Sequence, residues 1–229
     1  MGCFLVCHGA WSGGWSWRKM RPLLRAAGHE IFTPTYTGLG ERAHLAHPLV
    51  DLETHIQDIM AVIEAEDLHD VHLVAHSYGG MVGTGVGDRM PARIRHLIYL
   101  DAFVPENGQS LQDQVGGGAP RNAVDGWLIP PNPAPPTTPP EDLAWALPRQ
   151  RHQPARCFTQ RLRVAHPAPP FARSYIHCTR KDGHDPFRPI ADRLRHAPGW
   201  GFRAMDASHS PNITAPEALA ALLLEIAAG

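Results

Sequence analysis

The chain has 229 residues, a length that suits one α/β domain with an insertion, and its formal net charge is −1 from 21 basic and 22 acidic residues. It has no basic block and no apolar run long enough to cross a bilayer, so neither a nucleic acid nor a membrane is expected as a partner. Four cysteines without metal-type spacing, and a start that does not resemble a secretory leader, predict reduced thiols in a cytoplasmic protein without a metal site.

Strand-like and helix-like segments alternate along the chain, which predicts a mostly parallel sheet flanked by helices. Apolar runs predict strands over residues 3–7, 30–33, 71–76, 94–100, 174–178 and 201–205. Helical spacing and helix-start signals predict helices over residues 15–27, 51–67, 79–90 and 216–228.

Residues 103–170 differ in composition from the rest of the chain, because proline and glycine are concentrated there. Long insertions without regular structure in a compact domain usually serve a function. Strands resume after this segment, so we expect it to be a lid (cap) insertion over the carboxyl end of the sheet. The predicted core is then formed by residues 1–102 and 171–229.

The third predicted strand leads directly into Ser77, and a helical segment follows at once. This pattern is typical of a nucleophile elbow, in which a tight bend exposes a serine hydroxyl at the carboxyl end of a strand. The bend requires small residues two positions before and after the serine, and here these are Ala75 and Gly79. The motif is therefore A-x-S-x-G, a departure from the stricter G-x-S-x-G.

A serine nucleophile needs a base that takes its proton and an acid that orients this base. In this arrangement the chain order is serine, acid, histidine. His209 lies between the last predicted strand and the final helix, where the base is expected. Asp182, after the strand 174–178, is the preferred acid, and Asp185 and Asp101 are the alternatives.

Acyl transfer also needs donors for the developing oxyanion. The backbone N–H of Tyr78, directly after the serine, is one candidate. The glycine-rich segment 8–15 follows the first strand and supplies the other, from Ala10 or Trp11. No G-K-[ST] follows this segment, which disfavours a phosphate-binding loop.

Several stretches together resemble the α/β-hydrolase group that contains plant methyl-ketone and salicylate-ester esterases, hydroxynitrile lyases and bacterial esterase relatives. The matching stretches are residues 8–11, 14–17, 38–42, 75–81, 99–105 and the loop around His209. The resemblance implies an α/β-hydrolase fold with about six strands. It also implies a triad of Ser77, Asp182 and His209, in which Asp182 matches a family acid three residues after a threonine, with oxyanion amides from Ala10 and Tyr78.

Two departures from the group bear on the reaction. The lyase members need a lysine after the catalytic histidine and a threonine near the first strand, where this chain has Ser210 and Gly9. These differences favour ester hydrolysis over cyanohydrin cleavage.

The expected function is that of a carboxylic ester hydrolase without a cofactor, acting on a small apolar ester through an acyl-enzyme on Ser77. Trp11 and Trp127 are expected to line the substrate pocket. The alternatives are a hydroxynitrile lyase or C–C bond-cleaving enzyme on the same triad, and a ligand-binding member of the fold without turnover. The identity of the ester and the oligomeric state, monomer or homodimer, stay open.

Overall fold

The computed structural model describes residues 2–117, 123–133, 138–166, 169–181 and 183–229. Within them, six parallel strands form one sheet in the order β2-β1-β3-β4-β7-β8, and β5 and β6 form a separate antiparallel pair. The strands are β1 (Cys3–Cys7), β2 (Glu30–Phe32), β3 (Val71–His76), β4 (Ile94–Leu100), β5 (Leu128–Ile129), β6 (Gln153–Pro154), β7 (Ala172–Cys178) and β8 (Trp200–Met205). The predicted fold class, a mostly parallel six-stranded sheet flanked by helices, is confirmed.

Helices cover both faces of this sheet. The α-helices are α1 (Met20–Ala26), α2 (Leu52–Ala65), α3 (Gly79–Arg89), α4 (Leu111–Gln114), α5 (Pro140–Ala146), α6 (Arg156–Thr159), α7 (Arg188–Leu194), α8 (Pro211–Thr214) and α9 (Pro216–Ala228). Successive residues of a strand point to opposite faces. Leu73 therefore packs in one apolar core with Ile59 of α2, whereas Val74 packs in a second core with Leu223 of α9.

The helix predicted over residues 15–27 is interrupted. A 3₁₀ turn spans Gly14–Trp17, and the α-helix begins only at Met20. Pro22 lies in the first turn of α1, where its missing N–H costs no helical hydrogen bond. The proline therefore sets where a regular α-helix can begin.

The segment between β4 and β7 contains the predicted lid and contributes no strand to the main sheet among its described residues. It contacts the core through α5, where Trp145 packs edge-on against Trp15 at 5.1 Å between ring centroids. Lys19 also forms an ion pair with Asp142 at 2.8 Å. The division at residues 102/103 and 170/171 stays a prediction. No helix in the described ranges is long and apolar enough to cross a membrane.

Candidate active site

Ser77 lies in a sharp bend between β3 and α3, with a backbone φ of 56° in the left-handed region. Close backbone packing holds the bend in place. A Cβ on Gly79 would lie 2.1 Å from the carbonyl oxygen of Cys7, and one on Gly80 would lie 1.9 Å from that of Phe103. No side chain fits at either position, which explains why glycines follow the serine.

Ala75 is accommodated by a glycine on the helix packed above it. The Cβ of Ala75 would lie only 2.9 Å from a Cβ placed on Gly83. Because Gly83 has no side chain, the methyl group of Ala75 fits between β3 and α3. The departure from G-x-S-x-G therefore leaves the elbow intact.

Ser77, His209 and Asp101 form a continuous line of hydrogen bonds. His209 Nε2 lies 3.0 Å from Ser77 Oγ, and His209 Nδ1 lies 2.6 Å from Asp101 Oδ2. The Asp101 side chain is completely buried, whereas that of His209 is 33% exposed. With Asp101 ionised, Nδ1–H donates to the carboxylate, and Nε2 accepts from the serine hydroxyl. This is the geometry in which a histidine can take the serine proton.

Burial alone would raise the pKa of Asp101. The hydrogen bond and charge of His209, together with the ammonium of Lys181, outweigh it and hold this pKa below its ordinary value. Cys178 N also donates to Asp101 Oδ1 at 3.1 Å. The carboxylate is thus kept ionised in a buried position because it has several donors.

The preference for Asp182 as the acid is not supported by this geometry. Asp182 itself lies outside the described residues, and the carboxylate bonded to His209 Nδ1 belongs to Asp101. Asp185 is engaged elsewhere, because its Oδ2 lies 2.8 Å from His177 Nε2. The physical reason is sheet order: β4 is the direct neighbour of β3, so the residue after β4 ends beside Ser77. The sequence signal for Asp101, a position after a strand, is shared by Asp182 and Asp185.

The two amides predicted for the oxyanion hole have no hydrogen-bond partner in the part of the chain that the structure describes. Among the hydrogen bonds of the described residues, neither Ala10 N nor Tyr78 N donates to another group of the chain. Trp11 N, the other candidate, donates to Gln153 Oε1 at 2.8 Å. A Cβ on Gly9 would lie 3.3 Å from Ser77 Cβ, so this loop packs directly against the serine. Ala10 and Tyr78 therefore carry the available N–H groups.

Trp11 joins the loop after β1 to the lid. Its indole Nε1 donates to Ile129 O at 3.0 Å, and its carbonyl accepts from Arg151 N at 3.1 Å. Its ring lies 5.7 Å from that of Phe158. Trp127 is half-buried in the lid, where its backbone pairs with Val124 and Ala155. The assignment of Trp127 to the pocket stays a prediction.

His76, directly before the serine, supports the loop that carries His209. Its Nε2 donates to the backbone carbonyl of His209 at 2.7 Å, and the two rings lie 4.9 Å apart. Burial lowers the pKa of His76 to about 3, and the neighbouring His209 adds to the effect. This ring is therefore neutral, and its contact orients the backbone of His209.

No group of three His, Cys, Asp or Glu side chains in the described part of the chain is arranged to hold a metal ion.

Comparisons with known proteins identify similar sequences. A carbendazim hydrolyzing esterase from Nocardioides sp. is 60% identical over 111 residues, which are 48% of this chain and 46% of the relative. Salicylic acid-binding protein 2 of Nicotiana tabacum is 31% identical over 126 residues, covering 55% of this chain and 48% of the relative. The chain thus spans about half the length of the relatives that it matches.

Solved structures and a family model extend the likeness to the whole fold. An extracellular α/β-hydrolase from a Paenibacillus species has a TM-score of 0.85 at 23% identity, over 98% of each chain. A methylesterase from Arabidopsis has a TM-score of 0.78 at 25% identity, over 100% of this chain and 99% of that one. The alpha/beta hydrolase family model matches residues 4–222. With the parallel sheet and the elbow at Ser77, this match shows that the chain belongs to the alpha/beta hydrolase family.

Proposed function

We propose that this protein is a serine hydrolase that cleaves carboxylic esters through an acyl-enzyme on Ser77. The observation that carries the proposal is the hydrogen-bonded line from Ser77 through His209 to Asp101 at the elbow. The proposal is supported by relatives that are named as esterases.

In the first half of the reaction, His209 Nε2 takes the hydroxyl proton as Ser77 Oγ attacks the ester carbonyl carbon. The carbonyl oxygen gains negative charge and is stabilised by the amides of Ala10 and Tyr78. Asp101 stabilises the protonated imidazole. His209 then gives its proton to the departing alcohol oxygen, the ester C–O bond breaks, and the acyl group stays on Ser77.

In the second half, a water molecule takes the place of the alcohol. His209 removes a proton from this water as its oxygen attacks the acyl carbonyl carbon, again below the Ala10 and Tyr78 amides. The proton then passes from His209 to Ser77 Oγ as the acyl–serine bond breaks. The carboxylic acid leaves, and the hydroxyl of Ser77 is restored without a cofactor.

The surroundings of the site favour a small apolar ester as the substrate. Trp11 and Phe158 form an aromatic pair beside the oxyanion loop, and Phe187 stacks on the His209 ring at 4.8 Å. Aromatic walls with a few placed polar groups are typical of small-molecule sites. Carbendazim is one compound to test, since a relative is named for its hydrolysis. We also propose a cytoplasmic location, in which the four free cysteines stay reduced.

The test is a panel of nitrophenyl esters of graded acyl length, together with carbendazim, on the wild type and Ser77→Ala. We expect hydrolysis by the wild type and a loss on the order of 10⁶-fold in kcat for the variant, because the nucleophile is gone. A fluorophosphonate should label the wild type and not the variant. Undiminished ester hydrolysis by Ser77→Ala would contradict the mechanism.

The same samples separate the alternative activities. Cyanide release from mandelonitrile in place of ester hydrolysis would identify a lyase on the same residues. Tight binding of an ester or acid without turnover would identify a ligand-binding member of the fold. Either result would replace the proposed function.

A further inference from the structure

A second group of titratable side chains lies next to Asp101, and the mechanism above does not use it. The ammonium of Lys181 contacts Asp101 Oδ2 and lies 3.9 Å from Asp185 Oδ1. The other oxygen of Asp185 lies 2.8 Å from His177 Nε2. This group, Lys181, Asp185 and His177, is called the rear charge cluster below.

The rear charge cluster is largely buried. The Lys181 side chain is 13% exposed, that of Asp185 15% and that of His177 4%. Taking an ammonium out of water is costly unless it is paired, and here two carboxylates pair with it. Such an arrangement restricts the position of Lys181, because only one location satisfies both partners.

Packing connects Lys181 to the histidine as well as to the acid. Its Nζ lies 5.2 Å from the centre of the Phe187 ring, and Phe187 stacks on His209 with an interplanar angle of 13°. Asp185 Oδ1 also accepts from Phe187 N at 3.0 Å. The rear charge cluster therefore contacts Asp101 and also Phe187, whose ring packs on His209.

We propose that Lys181 is a positioning residue for the Ser77–His209–Asp101 array, and that Asp185 holds its ammonium against the Asp101 carboxylate. This inference rests on the proposed function, because it assigns a role within the same site. Lys181 fixes one carboxylate oxygen of Asp101 and offsets part of its negative charge.

The charge of Lys181 has a definite consequence for His209. The Asp101 carboxylate favours the protonated imidazole, and a nearby ammonium opposes this effect. His209 must be unprotonated to accept the serine proton. Removing the Lys181 ammonium therefore leaves the negative charge of Asp101 unopposed beside His209, whereas removing the charge of Asp185, one step further away, has the opposite effect.

Among the described residues, the other titratable groups around His209 leave this balance to Asp101 and the rear charge cluster. His76 on β3 is neutral, because burial lowers its pKa to about 3. Tyr175 and Cys178 on β7 are neutral, because burial raises the pKa of each far above the working range. Arg180 and Asp206 pair with each other at 2.9 Å on the surface, with side chains 60% and 80% exposed.

The experiment compares Lys181→Met, Lys181→Arg and Asp185→Asn with the wild type. Arg180→Met is the matched control, because it removes an adjacent cation that is exposed and paired with Asp206. Two rates are measured against pH: kcat/KM for a nitrophenyl ester, and phosphonylation of Ser77 by a fluorophosphonate. The second rate depends on the nucleophile and its base but not on ester turnover.

For Lys181→Met we expect the acid limb of both profiles to move to higher pH by about one unit. Asp185→Asn is expected to move it to lower pH, since the asparagine keeps an acceptor oxygen for Phe187 N and a polar amide nitrogen beside His177 but loses the negative charge. Lys181→Arg and Arg180→Met are expected to follow the wild type. Shifts of opposite sign are not produced by a general loss of structure.

Superimposable profiles for Lys181→Met, Asp185→Asn and the wild type would overturn the role of Lys181. If Lys181→Met does not fold, as judged by thermal unfolding, the Asp185→Asn profile decides, and an unshifted acid limb contradicts the proposal. A wild type that is phosphonylated but hydrolyses no ester would refute the proposed function only. The phosphonylation profiles would then still test the inference about Lys181.

Discussion

Asp101 combines a functional side chain with a constrained backbone. Its φ is 43°, and Ser77 and Trp11 have φ values of 56° and 59°. Left-handed backbone costs a non-glycine residue on the order of 1–3 kcal/mol and persists only where its surroundings hold it. Here Asp101 N donates to Ile176 O at 2.7 Å, and Ser77 N donates to Leu100 O at 3.2 Å. Bonds between neighbouring strand ends therefore aim the acid and the nucleophile at His209.

The choice between the candidate acids can be tested directly. We expect Asp101→Asn to lower kcat by about 10⁴-fold, because an amide neither fixes the correct histidine tautomer nor stabilises the imidazolium. Asp182→Asn is the matched control and is expected to have little effect. The measurement is steady-state ester hydrolysis, with circular dichroism to confirm folding. A loss for Asp182→Asn as large as that for Asp101→Asn would restore Asp182 as the acid.

Ser77 and His209 were recognisable in the sequence because each belongs to a local pattern. A strand, a serine between small residues and a helix define the elbow, and a histidine between a strand and the final helix defines the base. No local pattern distinguishes Asp101 from Asp182 or Asp185, since each follows a strand. What sets Asp101 apart is that its strand, β4, pairs directly with β3, the strand that leads into Ser77.

At the scale of elements, the elbow depends on how closely α3 approaches β1. Gly79 at the start of α3 faces the Cys7 carbonyl at the end of β1. The predicted strands 71–76 and 94–100 coincide with β3 and β4, and the predicted helix 216–228 coincides with α9. These elements carry clear apolar periodicity. The β5–β6 pair was not predicted, because it joins two-residue strands far apart in sequence, one of which contains Pro154.

Gly79→Ala tests the close approach. Its Cβ would meet the Cys7 carbonyl at 2.1 Å, so α3 must move away from β1, and we expect a loss of about 1–3 kcal/mol of unfolding free energy. Gly85→Ala is the comparison in the same helix, because the nearest atoms to its Cβ belong to the side chains of Ile56 and Leu162, the first at 2.4 Å, and we expect a smaller loss since side chains shift more easily than backbone. Urea denaturation measures both variants. A Gly79→Ala protein as stable as the wild type would show that the approach is not essential.

At the scale of the whole molecule, the buried histidines His8, His55 and His76 tie stability to pH. His8 Nδ1 donates to Gly9 O and its Nε2 accepts from Tyr36 N, and His55 likewise bonds Tyr78 and Thr37 through both ring nitrogens. The His8 pattern requires a neutral ring, because its Nε2 must accept from a backbone N–H. Burial lowers the pKa of His8 to about 3 and that of His55 to about 4, as it lowers that of His76 to about 3.

These depressed pKa values predict the direction of the pH dependence. The unfolded histidines bind protons below about pH 6.5, whereas the folded ones do not until about pH 4 or 3. Stability is therefore complete above pH 6.5 and falls as the pH falls through this window. His55→Gln should reduce the slope of unfolding free energy against pH by up to about 1.4 kcal/mol per unit. Urea titrations between pH 7 and 4.5 measure it.

The control for this prediction is His44→Gln, because His44 is exposed. We expect its slope to equal that of the wild type. An unchanged slope in His55→Gln would show that the buried ring does not couple protonation to folding.

By itself, the sequence determined the six strands of the main sheet, the helices α2, α3 and α9, the elbow at Ser77, the glycine-rich loop after β1 and the position of His209 after the last strand. Each follows from the sterics and apolar spacing of a few consecutive residues. Only the tertiary structure decided which carboxylate bonds to His209 and which charged side chains contact that carboxylate. The reason is that the order β3-β4-β7 brings the ends of strands distant in sequence side by side. Asp101 follows β4, which is adjacent to the strand that leads into Ser77. Lys181 follows β7, the next strand in the sheet, and contacts the Asp101 carboxylate.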